Sequence, residues 1–317
     1  TRDPDYRADQ DAILKVLNAT DRIPEPALHK DMVRNFWQDK DHVRGLWRQT
    51  AIADYANASP HWDILLDVDK LDASEHKQWV FQGAHCSPSD NRCLVRLSPG
   101  GGDASAVREF DPRAKKFLPD GFALEVAKSN ATYLDDDTIL VATDFGPGSL
   151  TKSSYPRIVK LWHRGQPLSA AKTVFEGKVD DVSSRAVVFR GPYGSVPLIE
   201  RGVSFFESEY YYVLPNGTTM KLPLPLTADL KGVTGGNIIF TLRKEWTAPG
   251  GKHFAQGSLV AFPVKPFALQ KMQPTFTLLY APDARASLDQ VSAGRDAVYA
   301  AIYENVIGSV HEFREGH

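Results

Sequence analysis

Cysteine is almost missing from this sequence: Cys86 and Cys93 are the only two in 317 residues. That excludes a disulfide-stapled scaffold and a multi-cysteine zinc module, and leaves the fold to a hydrophobic core. Net charge is nearly absent too, at −2 with 37 basic and 39 acidic residues. Without a bulk positive field, no nucleic-acid partner is expected. No apolar run reaches the roughly 20 residues that span a bilayer, so no membrane partner is expected either. The opening Thr1–Asp11 is charged and polar, unlike a secretory leader. Cytoplasmic and periplasmic settings both stay open.

Catalytic and ligand-binding motifs are missing as well. No serine has glycine two residues away on both sides, which a nucleophile elbow requires. Gly146-Pro147-Gly148-Ser149 comes nearest, but Pro147 stands where the first glycine belongs, so a β-turn is expected there. The nine histidines include no His-x-x-x-His pair with a glutamate, and no Cys-x-x-Cys exists. Gly100-Gly101-Gly102 lacks the lysine of a phosphate loop and does not precede a helix, so it is a hairpin turn. No catalytic, cofactor-binding or metal residue is assigned, and no cofactor is expected.

What is present is strand after strand. One helix is expected near the start, where Asp9-Gln10-Asp11 leads into Ala12, Ile13, Leu14, Val16 and Leu17 at helical spacing. Ile23-Pro24-Glu25-Pro26 ends it. Beyond it, short runs of β-branched and aromatic residues alternate with Gly, Pro, Asn and Asp turns. Examples are Asp63–Val68, Gln78–Gln82, Cys93–Leu97, Thr138–Asp144, Ala186–Arg190, Asn237–Leu242, Ser258–Phe262 and Ala297–Tyr303. A coarser unit of roughly 45–50 residues, best seen over 79–117 and 121–177, matches the blade period of a propeller. The expected fold is therefore all-β: a β-propeller over 32–317, preceded by a short helix and connector over 1–31. The six tryptophans recur in comparable places, as large aromatics packed between blades would.

Three features stay open at this level. Cys86 and Cys93 flank the turn Ser87-Pro88-Ser89-Asp90-Asn91, so they form either a disulfide or a pair of small buried thiols. Asn18, Asn57, Asn130 and Asn216 stand in Asn-x-Ser/Thr, which matters only where glycans are attached. Some propellers are glycosidases with paired carboxylates. For that alternative, an independent carbohydrate-binding or glycosidase propeller, Asp67, Asp69, Asp144, Glu207 and Glu209 are the candidates, unless each caps a turn or pairs with an arginine such as Arg44 or Arg157. Asp135-Asp136-Asp137 is expected to be a solvated loop.

Several strings resemble the propeller of prolyl-oligopeptidase-family serine peptidases, especially the bacterial branch. They are Asn35-Phe36-Trp37-Gln38-Asp39, His42-Val43-Arg44-Gly45-Leu46-Trp47-Arg48, Trp62 to Asp69, Arg92-Cys93-Leu94, Arg108-Glu109-Phe110-Asp111, and Asp137 to Thr151 followed by Tyr155-Pro156-Arg157. The resemblance is strong over about residues 30–180 and fades toward the C-terminus. It implies a seven-bladed propeller that covers an α/β-hydrolase domain and admits only short, proline-containing peptides to a Ser-Asp-His triad. This chain stops at His317, before any such domain, and its last unit is about the fifth or sixth blade. The resemblance thus implies a gating domain, inactive alone, whose partners are short peptides and the C-terminal hydrolase domain of its parent. Its uncovered surfaces are expected to promote self-association.

Overall fold

The computed structural model of the protein describes residues 3–17, 24–192 and 194–314. Asn18 and Ile23, singled out above, lie outside the described residues. The chain divides into two compact units, 1–126 and 127–317.

The first unit opens with the expected helix, Tyr6–Leu17, whose Ile13, Leu14 and Val16 are exposed. Its first sheet runs Ala27–His29, Met32–Trp37, Leu46–Ala51, Asp63–Asp67 in sequential antiparallel order. The sheet region therefore begins at Ala27 and not at 32. Ala27, Leu28 and His29 pair with Arg34, Val33 and Met32 across a turn in which Lys30 is left-handed. A three-residue strand behind a proline-rich approach carries too little alternation to stand out in the sequence.

The second sheet orders Trp79–Cys86, Cys93–Pro99, Ser105–Asp111 and Lys116–Phe117, and Ala123–Ala127 pairs with its third strand. Gly100 and Gly101 take positive φ in the turn after Cys93–Pro99, as a tight hairpin requires. Cys86 and Cys93 are direct ladder partners, 3.8 Å apart at Cα, and are joined as a disulfide.

Between these sheets lies a helix that the sequence does not announce, Val68–Glu75. It carries only Val68 and Leu71 as large apolar residues, too few for a stripe. Its start is nonetheless explicit, because Asp67 accepts the Lys70 N–H at 3.0 Å as an N-cap. A further short helix, Val264–Gln270, tolerates Pro266 within its first turn.

Among the described residues the second unit holds four larger sheets and a two-stranded one, Trp246–Thr247 with His253–Phe254. The third is Asn130–Tyr133, Thr138–Ala142, Ile158–His163, Lys172–Glu176. The fourth is Ser183–Gly191, Gly194–Gly202, Ser208–Val213, Thr219–Lys221. The fifth is Ala228–Thr234, Asn237–Leu242, Leu259–Pro263, Thr277–Tyr280, and the sixth is Ala286–Ala293, Ala297–Glu304, Ile307–Arg314. The first strands of successive sheets in this unit lie beside one another. They come very close: a Cβ on Gly232 would sit 2.5 Å from the Cβ of Ala293 on the next sheet, so only glycine fits there.

Successive side chains of a strand point to opposite faces, and here both faces are covered. Ile238, Phe240, Val260 and Phe262 of the fifth sheet pack against Val196, Leu198 and Tyr212 of the fourth. Their neighbours Ile239, Leu259 and Ala261 pack the other way, against Val298, Ala300 and Ile302 of the sixth. Leu140, Ala142 and Val159 of the third likewise meet Ala186, Val188 and Ile199 of the fourth. Sandwiched sheets need continuous apolar strands, which is why Thr138–Ala142 is buried at all five positions. In the first unit, Trp47, Leu65 and Leu66 pack on Trp79, Val95, Leu97 and Phe110. Trp47, Trp79 and Trp162 are thus core residues, as expected.

Phe240 is fully buried at the centre of the fourth–fifth sheet core. Truncating it, Phe240→Ala, removes the ring and leaves a cavity in a dense interior. The expected loss is about 3–5 kcal/mol, read as a lowered denaturation midpoint with an unchanged strand signal in circular dichroism.

Candidate functional site

Ser149 Oγ stands beside a carboxylate, and its surroundings make it a turn clasp. It accepts the Phe145 N–H at 2.9 Å and lies 2.7 Å from the Gly146 carbonyl and 3.1 Å from Asp144 Oδ1. Asp144 also accepts the Gly146 N–H. The hydroxyl is buried inside the turn that the sequence suggested.

The carboxylate candidates are dispersed into local roles. Asp67 caps its helix and pairs with Lys70, while Asp69 accepts the backbone N–H groups of Arg44 and Gly45. The side chain of Arg44 pairs instead with Asp72 at 2.8 Å, and Arg157 pairs with Glu176 at 2.6 Å. Glu207 accepts from Ser204 within its own hairpin. Of the sequon asparagines, Asn57 and Asn216 are exposed in turns, while Asn130 Oδ1 accepts the Ala186 N–H at 2.8 Å.

Glu209 belongs to a charge cluster on the fourth sheet. It faces Arg201 directly across the strand pair. Arg201 grips Asp181 with two bonds of 2.7 Å and Glu209 with one of 2.8 Å, and the Tyr211 hydroxyl donates to Glu209 at 2.6 Å. Lys221 on the next strand adds a further ion pair. Burial alone would raise the Glu209 carboxyl, but the bonds from Lys221, Tyr211 and Arg201 outweigh it and hold the pKa at about 2. The guanidinium is raised above its ordinary range, chiefly by its bond to Asp181. One arginine thus ties the connection into the fourth sheet to two of its strands.

Because strand alternation sends Arg201 to one face, Glu200 goes to the other, toward the fifth sheet. There it pairs with Arg185, its direct partner in the ladder, at 2.6 Å, and accepts from Ser208 at 3.1 Å. The Tyr210 hydroxyl, pushed up by burial, donates to the Ala228 carbonyl at 3.1 Å. These groups line a cleft of about 190 Å³ between the fourth and fifth sheets. Arg243 and Asp229 close it from the fifth sheet, in a long contact of 3.4 Å.

At its rim the hairpin Val203–Glu207 presents Phe205 and Phe206, 85% and 64% exposed, with ring centroids 4.8 Å apart. The Arg243 guanidinium lies 6.0 Å from the Phe206 ring. The Val203 and Ser204 N–H groups both reach the Glu207 carbonyl, so the turn displaying these rings is ordered. Guanidinium groups recognise carboxylates and carbonyls, and aromatic faces stack on flat or ring-shaped side chains. The cleft can therefore hold peptide-like groups, though it contains no nucleophile–base pair. The sequence reading missed it; the one available signal was Phe205-Phe206, two adjacent aromatics at a turn.

Sheets of three to five antiparallel strands in sequential order, buried on their neighbours within each unit and, in the second unit, set first strand beside first strand, are the architecture of a β-propeller domain. A sequence profile described as "Prolyl oligopeptidase, N-terminal beta-propeller domain" matches residues 1–316, and the chain belongs to that family. It is 38% identical to the uncharacterized peptidase y4nA of Sinorhizobium fredii, over 100% of this chain and 44% of that protein. With the uncharacterized peptidase RP174 of Rickettsia prowazekii it shares 28% identity, over 90% of this chain and 42% of the relative. Among solved structures, a post-proline cleaving enzyme from Rickettsia typhi superposes with a TM-score of 0.87 at 26% identity, covering 98% of this chain and 47% of that one. Oligopeptidase B from Leishmania major, at 9% identity and a TM-score of 0.66, shares the fold. The chain spans less than half the length of the relatives it matches.

The acid response of the Arg201 cluster can be tested. A carboxyl whose folded pKa lies below its ordinary value near 4.5 contributes stability that is complete above about pH 4.5 and is lost as pH falls through about 2. Glu209→Gln is expected to lower stability at neutral pH by about 1–3 kcal/mol. It should also flatten the decline of unfolding free energy across that acid window. Denaturant melts at a series of pH values read both effects.

Proposed function

We propose that this chain is the substrate-filtering domain of a serine peptidase that cleaves short peptides after proline. The observation that carries this is the family match across 1–316 in a chain covering only 44% of its 38%-identical relative. On this proposal the nucleophile, base and oxyanion donors lie in an α/β-hydrolase portion of the parent. The propeller excludes folded proteins by the width of its opening and keeps bulk water from the reacting groups when the two portions close. The aromatic and charged rim at Phe205, Phe206 and Arg243 is the surface best suited to touch a passing peptide. The carbohydrate alternative lacks its essential feature, because the candidate carboxylates are spread over separate turns and ion pairs.

The sixth sheet bears on self-association. Ile307–Arg314 is exposed along nearly its whole length, including Ile307 and Val310. An uncovered strand of this kind offers unpaired backbone groups and apolar side chains to a second copy.

Three outcomes are expected. The isolated chain leaves a chromogenic prolyl peptide intact, while the full-length parent cleaves it; serine-inhibitor-sensitive cleavage by the isolated chain would overturn the assignment. In the parent, replacing Phe205 and Phe206 by alanine raises KM several-fold for octapeptides and leaves dipeptide substrates unaffected. Light scattering of the isolated chain shows association at high concentration, which Ile307→Lys with Val310→Lys reduces.

A further inference from the structure

The surroundings of the Cys86–Cys93 pair are unusual for a bond that only staples a hairpin. Cys93 is fully buried and Cys86 nearly so. Arg34, on the second strand of the first sheet and itself 3% exposed, places Nη1 3.2 Å from Cys86 Sγ and 3.7 Å from Cys93 Sγ. The same guanidinium grips Asp90, in the loop that the two cysteines close, through two bonds of 2.8 Å. His29 Nδ1 lies 3.0 Å from Asp90 Oδ1, and Lys30 Nζ donates to the Ser89 carbonyl. Burial raises the Asp90 carboxyl, but the bonds from His29 and Arg34 more than offset it and hold it below its ordinary range. The ionisable side chains in these contacts are thus Arg34 and His29 from the first sheet and Asp90 from the loop.

A neutral disulfide gains little from a buried cation beyond one weak hydrogen bond. A thiolate gains a great deal, because adjacent positive charge is what lowers a cysteine pKa. We propose that Cys86–Cys93 is a reversible thiol–disulfide site, with Arg34 as the group that stabilises its thiolate. A low-molecular-weight thiol of the glutathione class attacks as its thiolate at Cys86 Sγ, on the less buried of the two cysteines. A mixed disulfide forms, the Cys86–Cys93 bond breaks, and its electron pair leaves on Cys93, 3.7 Å from the Arg34 guanidinium. A second thiolate then attacks the glutathione sulfur, releases Cys86 and carries both electrons' worth of oxidation away as glutathione disulfide. In the reduced protein, thiolate and Asp90 carboxylate compete for one guanidinium. The loop between the cysteines then loosens its hold on the first sheet.

His29, Cys86 and Asp90 also bring three metal-ligating atoms within 4.8 Å of one another. That donor set is already engaged, with Cys86 bonded to Cys93 and Asp90 held by Arg34.

The test equilibrates the chain in glutathione buffers of graded ratio, traps free thiols with an alkylating reagent and counts them by intact mass. Two thiols should appear and disappear together and reversibly. Arg34→Gln should need buffers about tenfold more reducing, since it removes the charge that favours the thiolate, with Arg34→Lys in between. A second measurement, the thiolate absorbance of a Cys93→Ser variant against pH, holds if Arg34→Gln does not fold. Its Cys86 should titrate below the ordinary thiol value of about 8.5. Equal midpoints for wild type and a folded Arg34→Gln, or Cys86 titrating at or above the ordinary value, would overturn the proposal. So would stoichiometric zinc uptake that shields both reduced thiols, which would mark a metal site instead.

Discussion

Apolar side chains on both faces of a strand cannot be covered by one neighbouring sheet, and that constraint organises this molecule. Phe240 and Ile239 are adjacent in sequence yet belong to different cores, one shared with the fourth sheet and one with the sixth. The fifth sheet is therefore stable only while both neighbours are present. The same holds for the fourth, whose Leu198 and Ile199 divide in the same way. Stability in such an array is a sum of sheet-to-sheet interfaces, and the sheet with an open face contributes least.

Polar groups follow the same alternation. Arg201 and Glu200 are consecutive and point to opposite faces, so one builds the buried clasp with Asp181 and Glu209 while the other lines the cleft toward the fifth sheet. One strand thus anchors the fold on one side and lines the cleft on the other. Antiparallel order adds the second condition. It puts the start of each first strand, the end of the second and the start of the third on one edge, which is how Arg185, Phe205, Phe206, Ser208 and Arg243 come together from separate parts of the chain.

Much of this was legible in the sequence, and the reasons differ from element to element. Thr138–Ala142 and Asn237–Leu242 announce themselves as continuous apolar runs between turn residues, and such runs are what a doubly covered strand needs. The strand Ala27–His29 and the helix Val68–Glu75 were not legible, because the first is too short to alternate and the second has too few apolar residues to show a face. Individual turns could be recognised from Gly146-Pro147-Gly148 and Gly100-Gly101-Gly102. The cleft could not, since its residues are brought together only by the stacking of two sheets. Arg34 likewise gives no sign in the sequence that it will lie against sulfurs 52 and 59 positions away.

The edge that carries the cleft has a bearing on how such domains diversify. Connections between second and third strands lie outside the main ladders, and among the described residues they range from the two-residue turn Asn305-Val306, through the Val203–Glu207 hairpin, to the long passage from 243 to 258 with its own small hairpin. Lengthening the Val203–Glu207 turn adds only a slowly growing closure entropy, whereas the 243–258 passage lends Ala248 and Phe254 to the core shared by the fourth and fifth sheets. The chemistry displayed along that rim can therefore change by insertion and deletion in such a turn while the stacked interior keeps its packing. Two such domains could be superimposable in their sheets and still present different chemistry along this edge.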